Sequence, residues 1–196
     1  MRKKRSFLTL FIAAILLLVG RKEAIQSQEK SVWVQQGALQ TPQGQYFVKG
    51  VCYHPVGKGQ TQRSFERLKQ DLELMTDAGI NTIRVYEPID SKEVLDEIEK
   101  SGIRVIISFG YNQQGYYDLL SGTYMDYVTK FKDHPAILFW ELGNEYNYHP
   151  EWFQGTMDLW YETAAMAIKA IHSVDKNHPV ASAHGEVPTV EVLEQL

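Results

Sequence analysis

Residues 139–147 read FWELGNEYN. A run of bulky apolar residues stops at a glycine, and an amide and a carboxyl group follow side by side at Asn144 and Glu145. A carboxyl group among apolar neighbours keeps its proton to higher pH, because burial disfavours its charged form. With Trp140 and Tyr146 beside it, Glu145 is expected to have a raised pKa and to act as a general acid. Such an acid can protonate the departing oxygen of an acetal linkage. That reaction also needs a second carboxylate, and an amide such as Asn144 can hold a hydroxyl next to the reacting carbon.

The elements that carry these residues alternate in kind. FVKGVCYH, TIRVYEP, RVIISFG, AILFWELG and PVASAHG read as strands, each followed by a helical pattern. Helices are expected over residues 64–78, 90–102, 123–134, 151–173 and from 189 onward. Ser64 and an Asp90/Glu93 capping box mark two starts, and Gly79 and Gly102 two ends. Before the first of these strands, residues 31–50 read as a small hairpin turning at Pro42–Gly44. Strands that are apolar without alternation are buried on both faces, as in a parallel sheet covered by helices. A doubly wound sheet would carry a glycine-rich nucleotide loop after its first strand. YHPVGKGQTQ has neither G-x-G-x-x-G nor Walker spacing. The expected fold is therefore α/β, a (β/α)8 TIM barrel represented by about its first five βα units. Residues 31–196 form that one domain, and its site collects at the carboxyl ends of the strands. Those ends carry Tyr53 and His54, Tyr86 and Glu87, Tyr111 and Asn112, Asn144 to Tyr146, and His184 and Glu186. Aromatic rings with polar neighbours suit sugars, which present apolar faces fringed by hydroxyls.

Composition narrows the partners. Residues 1–24 combine a basic start, MRKKRS, with a 14-residue apolar run, FLTLFIAAILLLVG. That run is shorter than the about 20 residues a membrane span needs. It reads as a secretory signal peptide, with an uncleaved N-terminal anchor as the alternative. The expected location is secreted, periplasmic or cell-surface, without stable membrane insertion unless the segment is retained. Excluding residues 1–24 leaves 14 basic against 23 acidic residues, a net charge of −9. That balance disfavours nucleic acid as a partner. The single cysteine, Cys52, rules out an internal disulfide and a cysteine-built zinc site. No histidine pair has metal-site spacing, so neither metal nor cofactor is expected. His134, His172 and His178 flank helices and read as surface or capping residues, and Trp152 and Trp160 as packing.

GINTIRVYEP followed by HPAILFWELGNEYN resembles clan A of the retaining glycoside hydrolases. The likeness is greatest to the barrel domain of family 2 glycosidases and to the β-1,3-glucanosyltransferases. YFVKGVCYHP resembles the first strand of the same barrels. The resemblance implies an exported glycosidase or transglycosylase acting on a β-linked oligo- or polysaccharide. Glu145 would be its acid/base and Asn144 the amide that holds the sugar 2-hydroxyl. It implies that Arg84 sits near the nucleophile and keeps it ionised. Tyr53 and His54 would form a pocket wall, with Tyr86 and Tyr146 as further substrate contacts.

Read from the residues alone, Asn144-Glu145 could be a polar loop, and Arg84 a structural partner for a buried acid such as Glu141. A carbohydrate-binding protein on a degenerate barrel, without turnover, would use the same strand-end aromatics. The resemblance places the nucleophilic glutamate at the end of a seventh strand. Fewer residues follow the leader than the about 250 of a typical barrel, and Glu186 is the only later strand-end carboxylate. The chain is thus expected to be part of a longer product, poorly soluble by itself, with its nucleophile elsewhere.

Overall fold

The computed structural model describes residues 31–110, 116–153, 156–187 and 189–194. The leader segment and Tyr111 and Asn112 lie outside them. Five strands form one parallel sheet in chain order: β4 (Gly50–Cys52), β5 (Thr82–Val85), β6 (Arg104–Phe109), β7 (Ile137–Leu142) and β8 (Val180–Ser182). Helices α1 (Leu68–Asp77), α2 (Lys92–Lys100), α3 (Tyr124–Phe131) and α4 (Met157–Val174) connect them, and α5 (Val190–Leu193) follows β8. This is the succession of the first five βα units of a (β/α)8 barrel. Among the described residues no helix is long and apolar enough to cross a membrane.

The sheet has two chemically different faces. Ile83, Val85, Val105, Ile107, Phe109, Trp140 and Leu142 point to the helices and pack on Leu95, Ile98, Tyr127, Val128 and Ala164. The opposite face carries Ile106, Leu138 and Phe139 towards its amino end, where they meet Val32, Leu39 and Tyr46. Those last residues belong to or border a separate antiparallel sheet of β1 (Trp33–Gln35), β2 (Ala38–Thr41) and β3 (Gly44–Gln45). The expected hairpin is thus three short strands with two turns. Tyr46 donates its hydroxyl to the carbonyl of Asn81 at 2.8 Å, just before β5, tying the small sheet to the barrel's amino end.

One irregularity in β7 decides which residues face inward. Val105 pairs with Ile137 but Ile106 pairs with Phe139, so Leu138 is an extra residue, a β-bulge. Side chains alternate along a strand, and one inserted residue reverses the alternation beyond it. Ile137 faces the helices; without the bulge, Glu141 would share that face. With it, Trp140 and Leu142 face the helices and Glu141 turns inward opposite Ser108.

Several local expectations shift. Helix α1 begins at Leu68 with no side-chain cap; Ser64 accepts only from Glu66 N–H, at 3.4 Å. Ser91, not Asp90, caps α2 by accepting from Val94 N–H, while Asp90 accepts from the Tyr117 hydroxyl. Residues Pro150–Phe153 form a separate 3-10 turn, and α4 starts after Thr156, whose hydroxyl accepts from Leu159 N–H.

His134 and His178 are buried rather than surface residues. Each stands in the turn from a helix into the next strand, which folds its imidazole back onto an acid. His134 meets Asp96 at 3.1 Å and His178 meets Asp175 at 2.8 Å. Asp175 also accepts from Trp140 Nε1 at 2.7 Å, and Ser31 Oγ reaches the other side of the His178 ring at 3.0 Å. This chain of bonds latches the start of the domain to the α4–β8 turn. Burial disfavours the Asp175 charge, but the His178 hydrogen bond and charge together with the Trp140 donor outweigh it, and its pKa is lowered. Asp175→Ala strands two buried donors, at roughly 1–3 kcal/mol each, and urea unfolding should show the loss. Because the folded pKa lies below the unfolded value of about 3.9, the contribution of Asp175 is present above that pH. It fades as pH falls through the folded pKa, so wild type and variant should converge in acid.

Candidate active site

The carboxyl ends of β5, β6 and β7 bring one charged group inside the sheet. Arg84 lies inward on β5 and Glu141 inward on β7. Arg84 donates from Nε to Glu141 Oε1 at 2.6 Å, and its Nη2 lies 2.6 Å from the same oxygen. Ser108, between them on β6, donates to that oxygen as well, at 2.5 Å. Nη2 of Arg84 also donates to Asn144 Oδ1 at 3.0 Å. Burial works against the Arg84 charge, but the hydrogen bond and charge of Glu141, together with Cys52, outweigh it, and the arginine pKa is raised. The structural pairing weighed for Arg84 is therefore present, and the same guanidinium holds Asn144.

This bracket fixes the orientation of the amide. A guanidinium can only donate, so the oxygen of Asn144 faces Arg84 and Nδ2 is left to donate elsewhere. The Arg84 guanidinium also stands 4.7 Å above the ring of Tyr86, and His54 meets that ring edge-on at 6.4 Å. Arg84, Tyr86, His54 and Asn144 are thus gathered, with Glu145 next along the chain.

Glu145 leaves the strand through two left-handed residues. Gly143 has φ 69° and Glu145 φ 54°. A Cβ at Gly143 would lie 2.6 Å from the Trp160 ring and 3.0 Å from Tyr146, so only glycine fits beneath those rings. Tyr146 packs there with its ring 4.7 Å from Trp160 and is 2% exposed. Tyr53 is likewise a core residue, 7% exposed, and donates its hydroxyl to Asp71 at 2.8 Å. The structure therefore places these two tyrosines in the packing beside the site.

Among the described residues the apolar enclosure expected around Glu145 is not found. Glu145 is exposed, and Trp140 lies on the helix-facing side of the sheet, bonded to Asp175. Trp140 is five residues earlier on a strand whose alternation sends it outward. His184 donates from Nδ1 to the carbonyl of Glu186 at 2.8 Å, and Glu186 is exposed. Glu141 and Ser108 are the inward polar residues that motif reading did not single out as site residues. Their signal is a carboxyl and a hydroxyl in otherwise apolar strands. Among the described residues, no three His, Cys, Asp or Glu side chains gather as a metal-ligand set.

Comparison with known proteins agrees with this architecture. The family model "Glycosyl hydrolases family 2, TIM barrel domain" matches residues 32–194. A protein of Formosa agariphila named "Putative beta-glucuronidase" is 28% identical over 112 residues, 50% of this chain and 10% of its own. Among solved structures, a β-glucuronidase of Bacteroides uniformis superposes with TM-score 0.60 at 18% identity, over 75% of this chain and 19% of that one. A β-galacturonidase of Eisenbergiella tayi bound to galacturonate gives 0.61 at 21% identity, over 79% of this chain and 28% of that one. The chain thus spans a tenth of the curated relative and less than a third of these solved chains. With the matched segment covering most of its length, the chain belongs to family 2 of the glycosyl hydrolases, through that family's TIM-barrel domain.

Proposed function

We propose that this domain serves an exported, retaining β-glycosidase in which Glu145 is the general acid/base. The observation that carries this reading is the Arg84–Glu141–Asn144 bracket at the strand ends, immediately before Glu145. The bracket fixes the Asn144 amide so that its Nδ2 donates to the sugar 2-hydroxyl, a bond that strengthens as the oxocarbenium-like state develops. Glu145 donates its proton to the glycosidic oxygen as the bond to the anomeric carbon breaks. It then takes a proton from the water that releases the sugar. Transfer to a second sugar would use the same intermediate. The relatives named above act on β-linked uronic acids by their names, which makes β-glucuronides and β-galacturonides the first substrates to try.

Retention requires a nucleophilic carboxylate about 5–5.5 Å from the acid/base. Glu141 is held on Oε1 by Arg84 Nε and Nη2 and by Ser108, and we read it as the arginine's partner. The family resemblance assigns the nucleophile to the end of a seventh barrel strand, and the described residues form five strands of the parallel sheet. An activated 2-deoxy-2-fluoro-β-glucuronide or β-galacturonide tests this by mass spectrometry. The full-length protein should take up one label on a carboxylate beyond residue 194, and the 196-residue chain alone should take up none. A stoichiometric label on Glu186 in the chain alone would overturn the reading.

A further inference from the structure

We infer that Asn147 and the β8 loop, residues 183–185, are the positioning clamp that aims Glu145. This deepens the acid/base reading and rests on it. Glu145 is a non-glycine residue at φ 54°, a conformation that crowds its Cβ against the backbone and persists only where surroundings hold it. The surroundings are these. Glu145 N–H donates to the carbonyl of Ala183 at 2.8 Å, and the carbonyl of Glu145 accepts from Tyr148 N–H at 2.9 Å and His149 N–H at 3.1 Å. Gly185 N–H donates to Asn147 Oδ1 at 2.8 Å. The ring of Tyr148 lies so close over Gly185 that a Cβ there would come within 2.3 Å of it.

Two loops from neighbouring strands are therefore fastened on both sides of one residue. The fastening carries a cost beyond the backbone. Asn147 Nδ2 and His184 Nε2 are buried in it without a hydrogen-bond partner among the described residues. Glu145 has no side-chain hydrogen bond to another described residue. An acid/base must gain and lose its proton freely, so it is aimed by its backbone and not by a tether on the carboxyl group. Among the described residues Asn147 is the side chain that joins the two loops through a hydrogen bond, and Gly185 is the residue that lets them approach.

The test is a leaving-group comparison in the full-length enzyme. Asn147→Ala should lower kcat about 10²-fold on alkyl or disaccharide substrates, which need protonation; a misplacement of about 1 Å has that effect. On aryl glycosides with good leaving groups kcat/KM, which reports formation of the glycosyl intermediate and needs no proton, should stay within a few-fold. Gly185→Ala, which drives the Tyr148 ring off the loop, should show the same split and decides the matter if Asn147→Ala does not fold. Equal losses of kcat/KM on both substrate types, or unchanged kcat/KM on both, would overturn the clamp. Neither result touches the role of Glu145, which its own replacement tests.

Discussion

Arg84→Ala is expected to destabilise the domain by roughly 3–5 kcal/mol, the usual cost of leaving one member of a buried ion pair alone. Glu141, 8% exposed, would lose its only cationic partner among the described residues and keep only Ser108. Asn144 would lose the donor that orients its amide, so kcat/KM should fall about 10²-fold as well. Arg84→Lys should recover little. One ammonium cannot reproduce the fork that places Nε on Glu141 and Nη2 on both Glu141 and Asn144. The informative partner is the double variant Arg84→Met/Glu141→Leu. Replacing both members by apolar groups removes the stranded charge, so urea unfolding should return most of the stability. Activity should stay low, because Asn144 remains unheld. If the double variant regains activity together with stability, the bracket is only structural.

The sheet and its helices were legible because their signals are local. Apolar runs such as RVIISF and AILFWEL, ended by the left-handed Gly110 and Gly143, and helices followed by the left-handed Gly79 and Gly102, specify strand, helix and turn within a few residues. The gathering of Arg84 with Asn144 was reached through the family resemblance, and the structure adds what joins them. What sequence could not supply was facing. The inward turn of Glu141 depends on the bulge at Leu138, and a bulge is a property of pairing between two strands that no single strand announces. The same parity sends Trp140 to the helices, which is why the apolar wall foreseen for Glu145 is absent.

The packing of Tyr53 and Tyr146 beside the site was illegible for a related reason. A tyrosine at a strand end reads the same whether its ring points to the site or back into the helix layer. Its facing here was decided by partners distant in sequence, Asp71 and Trp160. His134 and His178, expected as surface or capping residues, are buried; the acid that meets His134 lies 38 residues away, whereas Asp175 is three residues from His178 and that pairing was overlooked. The clamp on Glu145 was invisible for the same cause: Asn147 and Gly185 are 38 residues apart.

Glu145→Ala in the full-length enzyme isolates the acid/base role proposed for this residue. The substitution removes an exposed side chain from a strained backbone position, so folding should be little affected. General acid catalysis typically contributes about 10²–10⁴-fold, and kcat on alkyl or disaccharide substrates should fall by that factor. Formation of the glycosyl intermediate from aryl glycosides with good leaving groups, whose departure needs no proton, should be nearly spared. The second step then becomes limiting, because no base activates the water. Azide, a nucleophile that needs no base, should restore turnover on those aryl substrates and yield the β-glycosyl azide. The measurement is kcat on the aryl glycoside with and without azide, with the product identified by NMR. Acceleration by azide with retained configuration is the result the account predicts. A variant that loses equally on both substrate types, with no response to azide, would contradict it.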